Sequence, residues 1–170
     1  TLTAQADGSI VFVDEYAGYE ITISDGWLAV RINQQEYADA LKLPEAADTN
    51  IQESLLGIKT EDPNIFRLLA IDTKTEHIQD GFVTDINFIW EEQKSFDSIE
   101  DLQVIADEIP NATTAFRFEV TTVQIVTTSS GLQIGVIEAR SSFTNISSDE
   151  VDIYQKQVFF KGKTGTQSII

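Results

Sequence analysis

Covalent catalysis by a serine needs a base beside the hydroxyl, and the chain holds a single histidine, His77, in the polar stretch Lys74 to Asp80. No serine stands in a G-x-S-x-G setting and none has a lysine three residues on, so neither the nucleophile elbow nor the Ser-Lys pattern is present. His77 therefore reads as a solvated turn residue. Gly162, Lys163 and Thr164 imitate the end of a P-loop, but the first glycine of that motif would fall at position 157, which is Gln157. A P-loop must also open a helix whose N-terminal amides hold phosphate, whereas the strand-like Gln167 to Ile170 follows here, so a hairpin turn is the better account.

Carboxylates adjoin one another at Asp14 and Glu15, Glu61 and Asp62, Glu91 and Glu92, and Asp149, Glu150 and Asp152. With 28 acids such clusters are expected by chance. Calcium wants several oxygen ligands within about 12 residues and a glycine at the sharp turn, and no segment has that spacing. A glycosidase-like pair of carboxylates depends on separation in space and is left open. An enzyme would need a cleft with converging carboxylates near His77 or Tyr154. Asn111-Ala112-Thr113 and Asn145-Ile146-Ser147 satisfy the N-glycosylation sequon, which matters only in a eukaryotic secretory source. The absence of cysteine excludes disulfides, thiol catalysis and cysteine metal sites. No catalytic, cofactor-binding or metal-ligating residue is assigned, and no cofactor is expected.

The elements that would position any site are legible in the periodicity. Residues 1 to 18 are polar around the apolar run Ile10 to Val13, a lead-in strand or flexible arm. Tyr19, Ile21 and Ile23 alternate with polar residues, Ser24-Asp25-Gly26 breaks the run, and Trp27 to Ile32 resumes it, which predicts a hairpin with Trp27 as its core anchor. Ala47, Ile51, Leu55 and Ile58 then recur at helical spacing, with Pro44 dividing the region and Pro63 closing it. Phe66 to Asp72 is apolar on both alternating faces, as a strand covered from two sides would be. Phe82 to Trp90 continues with another strand. Ile99, Leu102, Ala106 and Ile109 form a second helical stripe. Its start is a capping box of Asp97 with Glu100 or of Ser98 with Asp101, and Pro110 ends it. Phe116 to Thr127, Leu132 to Phe143, Val151 to Phe160 and Gln167 to Ile170 read as strands. Trp90 and most of the ten phenylalanines sit at alternating strand positions, where core packing accounts for them.

This order, strands with two interposed helical regions and then a run of strands, predicts an α+β antiparallel β-sheet flanked by helices. The 28 acidic and 11 basic side chains leave a net charge of -17. Residues 1 to 110 hold 23 acids and 6 bases, whereas residues 111 to 170 hold five of each. Solvated helix faces account for this asymmetry, with steering of a cationic partner as the alternative. A polyanion would be repelled, so no nucleic-acid partner is expected. No apolar run approaches the roughly 20 residues needed to span a bilayer, so no transmembrane segment is expected in this chain. The chain lacks methionine and begins at Thr1, which suggests a processed piece with a leader or lipid anchor removed upstream.

Two stretches carry a family likeness. Gly18 to Trp27 (GYEITISDGW) resembles the opening of the PsbP and Mog1-like α/β/α sandwich domains, and Tyr154 to Lys161 (YQKQVFFK) before a Gly-containing turn is similar to their late strand. The resemblance covers about residues 18 to 170 and implies one domain there, preceded by an arm at 1 to 17. Further, it implies a non-catalytic PsbP-like lipoprotein or secreted protein, placed extracytoplasmically, that binds a protein partner or serves assembly. A carrier of a small apolar ligand or lipid between sheet and helix is the alternative. Family members usually finish with a helix after the last strand, and this chain ends at Ile170. Either a homodimer through the terminal strand or a fragment of a longer monomer is expected, with Val158 and Phe160 partly uncovered.

The charge balance generates a first prediction: micromolar protein should give no electrophoretic mobility shift with DNA or RNA in about 0.15 M salt. A sequence-independent shift would overturn it.

Overall fold

A computed structural model describes residues 1–32, 34–78, 82–92, 96–111, 117–144 and 148–170. The fold is α+β, built from antiparallel sheets with helices packed on them, as the order of elements predicts. The chain gathers into two compact units, residues 1–90 with 162–164, and residues 91–161 with 165–170. Among the described residues no helix is long and apolar enough to cross a membrane.

The first unit is organised on β5 (Phe66–Asp72), which lies between β4 (Trp27–Val30) and β6 (Asp85–Glu91). Its alternating faces are both apolar, so two layers are needed to keep it from water. On one face Leu69 and Ile71 pack with Val30 and with Ile51 and Leu55 of α2 (Thr49–Gly57), which follows the shorter α1 (Gln34–Ala40). Each of these side chains is essentially removed from solvent, so the space between helix and sheet is filled by the protein's own residues. Asp48 caps α2 by accepting the N–H of Asn50 and Ile51, and Pro44 opens a single 3-10 turn between the two helices. On the other face Leu68 stands in register with Phe88, against which the ring of Phe12 packs edge-on at 6.2 Å. Phe12 belongs to a separate antiparallel sheet of β1 (Leu2–Ala4), β2 (Ile10–Asp14) and β3 (Tyr19–Ile23), in that order. The lead-in segment is thus two paired strands.

The structure corrects the expected hairpin. Strand β3 pairs with β2, and β4 with β5, so Ser24-Asp25-Gly26 carries the chain from one sheet to another. A Gly-containing turn between two alternating runs has the same local chemistry in either case, and only the choice of partner strand separates them. Trp27 is only half-buried and faces Asp72 in the register, so it is no core anchor; Phe12, Phe88 and Leu69 have that part.

In the second unit α3 (Ile99–Glu108) starts at a capping box made by Ser98 and Asp101, one of the two pairs the sequence offers. Beyond Glu108 a 3-10 turn, Ile109–Asn111, carries Pro110. Leu102, Ile105 and Ala106 of the helix cover Ile137, Ala139, Ile153 and Phe159. Those four come from β8 (Gln133–Thr144) and β9 (Glu150–Lys161), which continue on one side to β7 (Glu119–Thr127) and on the other to β10 (Thr166–Ile169). Thr166, Gln167 and Ser168 are consecutive and all buried, so β10 is covered on both faces. The side chains of the terminal strand are therefore buried, where the sequence suggested an exposed end. Val158 and Phe160 are half-buried.

Residues 162–164, between β9 and β10, form a turn, not a phosphate loop. Lys163 donates its backbone N–H to the Ala17 carbonyl at 2.6 Å, and the Thr164 hydroxyl donates to the Tyr16 carbonyl at 2.8 Å. The Trp90 indole N–H in turn donates to the Thr164 carbonyl. This close approach requires Gly162, because a Cβ there would stand 2.5 Å from the Ala17 oxygen. Gly162→Ala should lower stability by about 1–3 kcal/mol, the usual effect of forcing an atom against backbone. Gly57→Ala, whose added methyl meets nothing within 4 Å, should leave stability unchanged or raise it. Thermal melts of the two variants check this, and equal melting temperatures would show that the clasp at Ala17 is not tight.

Candidate functional site

The loop after β2 folds under the control of Asp14. Its Oδ1 accepts the backbone N–H of Tyr16 at 3.1 Å and of Ala17 at 3.0 Å, the usual behaviour of an aspartate that starts a turn. Gly18 closes the loop with φ 78°, a conformation open to glycine. So bent, the loop leaves Tyr16 on the outside, 53% exposed, and turns Asp14 inward, 4% exposed.

Buried there, Asp14 meets Arg67 from β5. Arg67 Nε donates to Oδ2 at 2.7 Å and Nη2 to Oδ1 at 3.2 Å, a two-pronged pair that closes 53 residues of chain. Nη1 donates to the Asn64 carbonyl at 3.2 Å, and the guanidinium lies 5.9 Å from the centre of the Tyr16 ring. The Tyr16 ring also meets Trp90, edge-on at 5.1 Å. Burial is the largest influence on the Asp14 carboxyl and pushes its pKa up. The hydrogen bond and charge of Arg67, with the N–H groups of Ala17 and Tyr16, outweigh it and hold the carboxyl below its ordinary value.

Asp14 and Arg67 border an open cleft of about 380 Å³ in the first unit. Phe12, Ile32 and Phe66 give it an apolar lining, and Arg31 adds a second cation at its border. Arg31 is itself engaged, donating from Nε to Glu36 Oε2 at 2.7 Å and from Nη2 to the other oxygen of the same carboxylate. Each of the two guanidinium groups is thus neutralised by its own carboxylate.

The residues singled out by type lie elsewhere. His77 sits in a 3-10 turn, Thr75–His77, half-exposed as a turn residue should be. Its Nδ1 is 2.6 Å from Asp72 Oδ2, while Asp72 Oδ1 accepts the Lys74 N–H. Burial raises the pKa of Asp72 most, but these bonds and the neighbouring charges leave it lowered. Among the described residues the imidazole makes no other hydrogen bond, so Asp72 orients the ring without handing it a hydroxyl to activate. Tyr154 is 78% exposed on β9, in the other unit. Of the paired acids, Asp62 accepts the N–H of Asn64 in its own turn, and Glu150 accepts the Ser142 hydroxyl across the strand pair. Among the described residues no three His, Asp or Glu side chains group as metal ligands would. Of the sequons, Ala112 and Thr113 and the whole of Asn145-Ile146-Ser147 lie outside the described residues.

Sequence reading did not single out Arg31, Arg67 or Tyr16. One signal was available: Arg31 and Arg67 are two of only six bases in the first 110 residues, and a cation isolated among 23 acids has a choice of partners. No family model, no curated protein and no solved structure matches the chain.

The lowered pKa of Asp14 has a definite consequence. Its contribution to stability is complete above the unfolded-state value, ordinarily 3.8, and is lost as pH falls through the lower folded-state value. Asp14→Asn should therefore cost about 1–3 kcal/mol near neutral pH, the usual effect of removing one partner of a hydrogen-bonded pair, since the guanidinium left behind is partly open to water. The gap between parent and variant should then narrow steadily below about pH 5. Denaturant unfolding across that range checks it, and a gap independent of pH would show that the carboxylate is not what holds Arg67.

Proposed function

We propose that the chain is a non-catalytic, extracytoplasmic partner-binding or assembly domain of the PsbP and Mog1-like kind, and that the cleft beside Asp14 and Arg67 is where its partner docks. One observation carries this: the ionised groups paired at the cleft are saturated from within the protein. Acid–base chemistry needs a proton free to move, and nucleophilic chemistry needs a free lone pair. The two oxygens of Asp14 take four hydrogen bonds, and the guanidinium groups of Arg31 and Arg67 are each gripped by a carboxylate. Such groups serve as a fixed surface. An exposed tyrosine beside arginine, set over an apolar lining, is the composition on which protein interfaces concentrate their binding energy. The partner is a protein with a basic surface, because residues 1 to 90, the unit in which the cleft lies, hold 16 acids against five bases.

The antiparallel α+β class is the one the family resemblance requires, which supports the reading. Placement outside the cytoplasm rests on that resemblance.

Crosslinking in cells of the source organism, followed by calorimetry with the captured protein, tests the proposal. Tyr16→Ala should weaken binding about tenfold or more while the melting temperature falls little, since the ring is half in solvent. Arg31→Glu should weaken it too, by placing two carboxylates together at the border. A partner that binds both variants as tightly as the parent sinks the assignment of the cleft.

A further inference from the structure

Strand β7 is the outermost strand of its sheet: β8 pairs with it on one side, and no described strand pairs with it on the other. Exposed edges of this kind are normally blunted by a charge, a proline or a bulge. Residues 120–127, Val-Thr-Thr-Val-Gln-Ile-Val-Thr, contain no ionisable side chain, no proline and no glycine. A register shift between Val120 and Thr122 protects the beginning of the run, and from Thr122 onward the pairing with β8 is regular. The core below is also unfinished here. Val120, Val123 and Ile125 point at the cluster under α3 yet are only partly buried, whereas Ile137, Ile153 and Phe159 of the inner strands are buried.

We infer that β7 is an assembly edge, and that its occupant is a second copy of this chain, added antiparallel about a two-fold axis. The inference is independent of the cleft in residues 1–90. The strands that meet are themselves balanced: residues 111–170 carry five acids and five bases, so, the acids of α3 apart, two sheets would meet here with little like charge between them. Any antiparallel overlap of two 120–127 runs opposes no like charges, since neither run has any. Both copies present the same β-branched residues, which pair well across a sheet. The added strand would cover the outer flanks of Val120, Val123 and Ile125. A two-fold contact also closes on itself, so the edge is used up in a dimer and no filament grows from it.

Sedimentation equilibrium of the full chain, with backbone hydrogen exchange on the same samples, tests the inference. The parent is expected at twice its 18.9 kDa mass, with alternate amides of β7 exchanging about tenfold more slowly as concentration rises. Gln124→Lys combined with Val126→Lys sets like charges on the facing strands. It should yield a monomer with unchanged circular dichroism, both side chains being exposed in the single chain. A parent that stays monomeric at about 100 µM overturns the inference. So does a dimer whose β7 amides exchange as fast as in dilute solution, and this second readout needs no variant to fold. Protection of β7 that appears only on adding an unrelated β-strand peptide overturns the second copy in favour of a foreign strand.

Discussion

The buried pairing of Asp14 with Arg67 is the constraint on which the first unit depends. A carboxylate withdrawn from water is costly unless nearly every lone pair is met, and here two backbone amides and a two-pronged guanidinium meet them. In doing so the pair fixes three things together. The loop after β2 is held closed, β2 is tied to β5, and Arg67 is aligned beside the Tyr16 ring. Trp90 then braces Tyr16 from the side while its indole holds the Thr164 carbonyl. The turn at 162–164, distant in sequence, thereby becomes part of the same arrangement, and Gly162 is the residue that lets the backbones come so close.

Around that pair the charge of the protein divides into two kinds. Most of the 28 acids have no basic side chain to meet, because only 11 bases exist, and they serve hydration and steering. The few cations in the first 110 residues are used structurally where they are least exposed: Arg31 on Glu36 and Arg67 on Asp14. Ion pairs on the sheet of the second unit, Arg140 with Glu119 and Lys156 with Glu138, are open to solvent and contribute little to stability. What they do is keep that part of the surface near neutrality, and the uncharged run of β7 lies beside it.

Sequence alone determined the elements whose identity depends on neighbours a few residues apart. Ile51 and Leu55 at helical spacing, a capping box at the start of α3, the two-faced apolar run of β5 and the long strands β7, β8 and β9 are all local patterns, and all are found, the structure choosing Ser98 with Asp101 from the two boxes on offer. His77 as a turn residue and Gly162 to Thr164 as a hairpin turn were legible for the same reason. Tertiary structure alone decided which strands pair. β3 and β4 share the alternation and turn of a hairpin, yet they join different sheets, because backbone hydrogen bonds do not distinguish the partners and burial does: Phe12 beside β3 packs on Phe88, while Val30 of β4 packs with Leu69 and Ile71. That choice left Trp27 half-exposed. It also created the candidate site. Asp14 was one of 28 acids in the sequence, with nothing local to set it apart, and it became the buried anchor only when the fold carried Arg67 to it across 53 residues. The energy of such a pair comes from desolvation and geometry, and both are properties of a packed interior, beyond the reach of residue order.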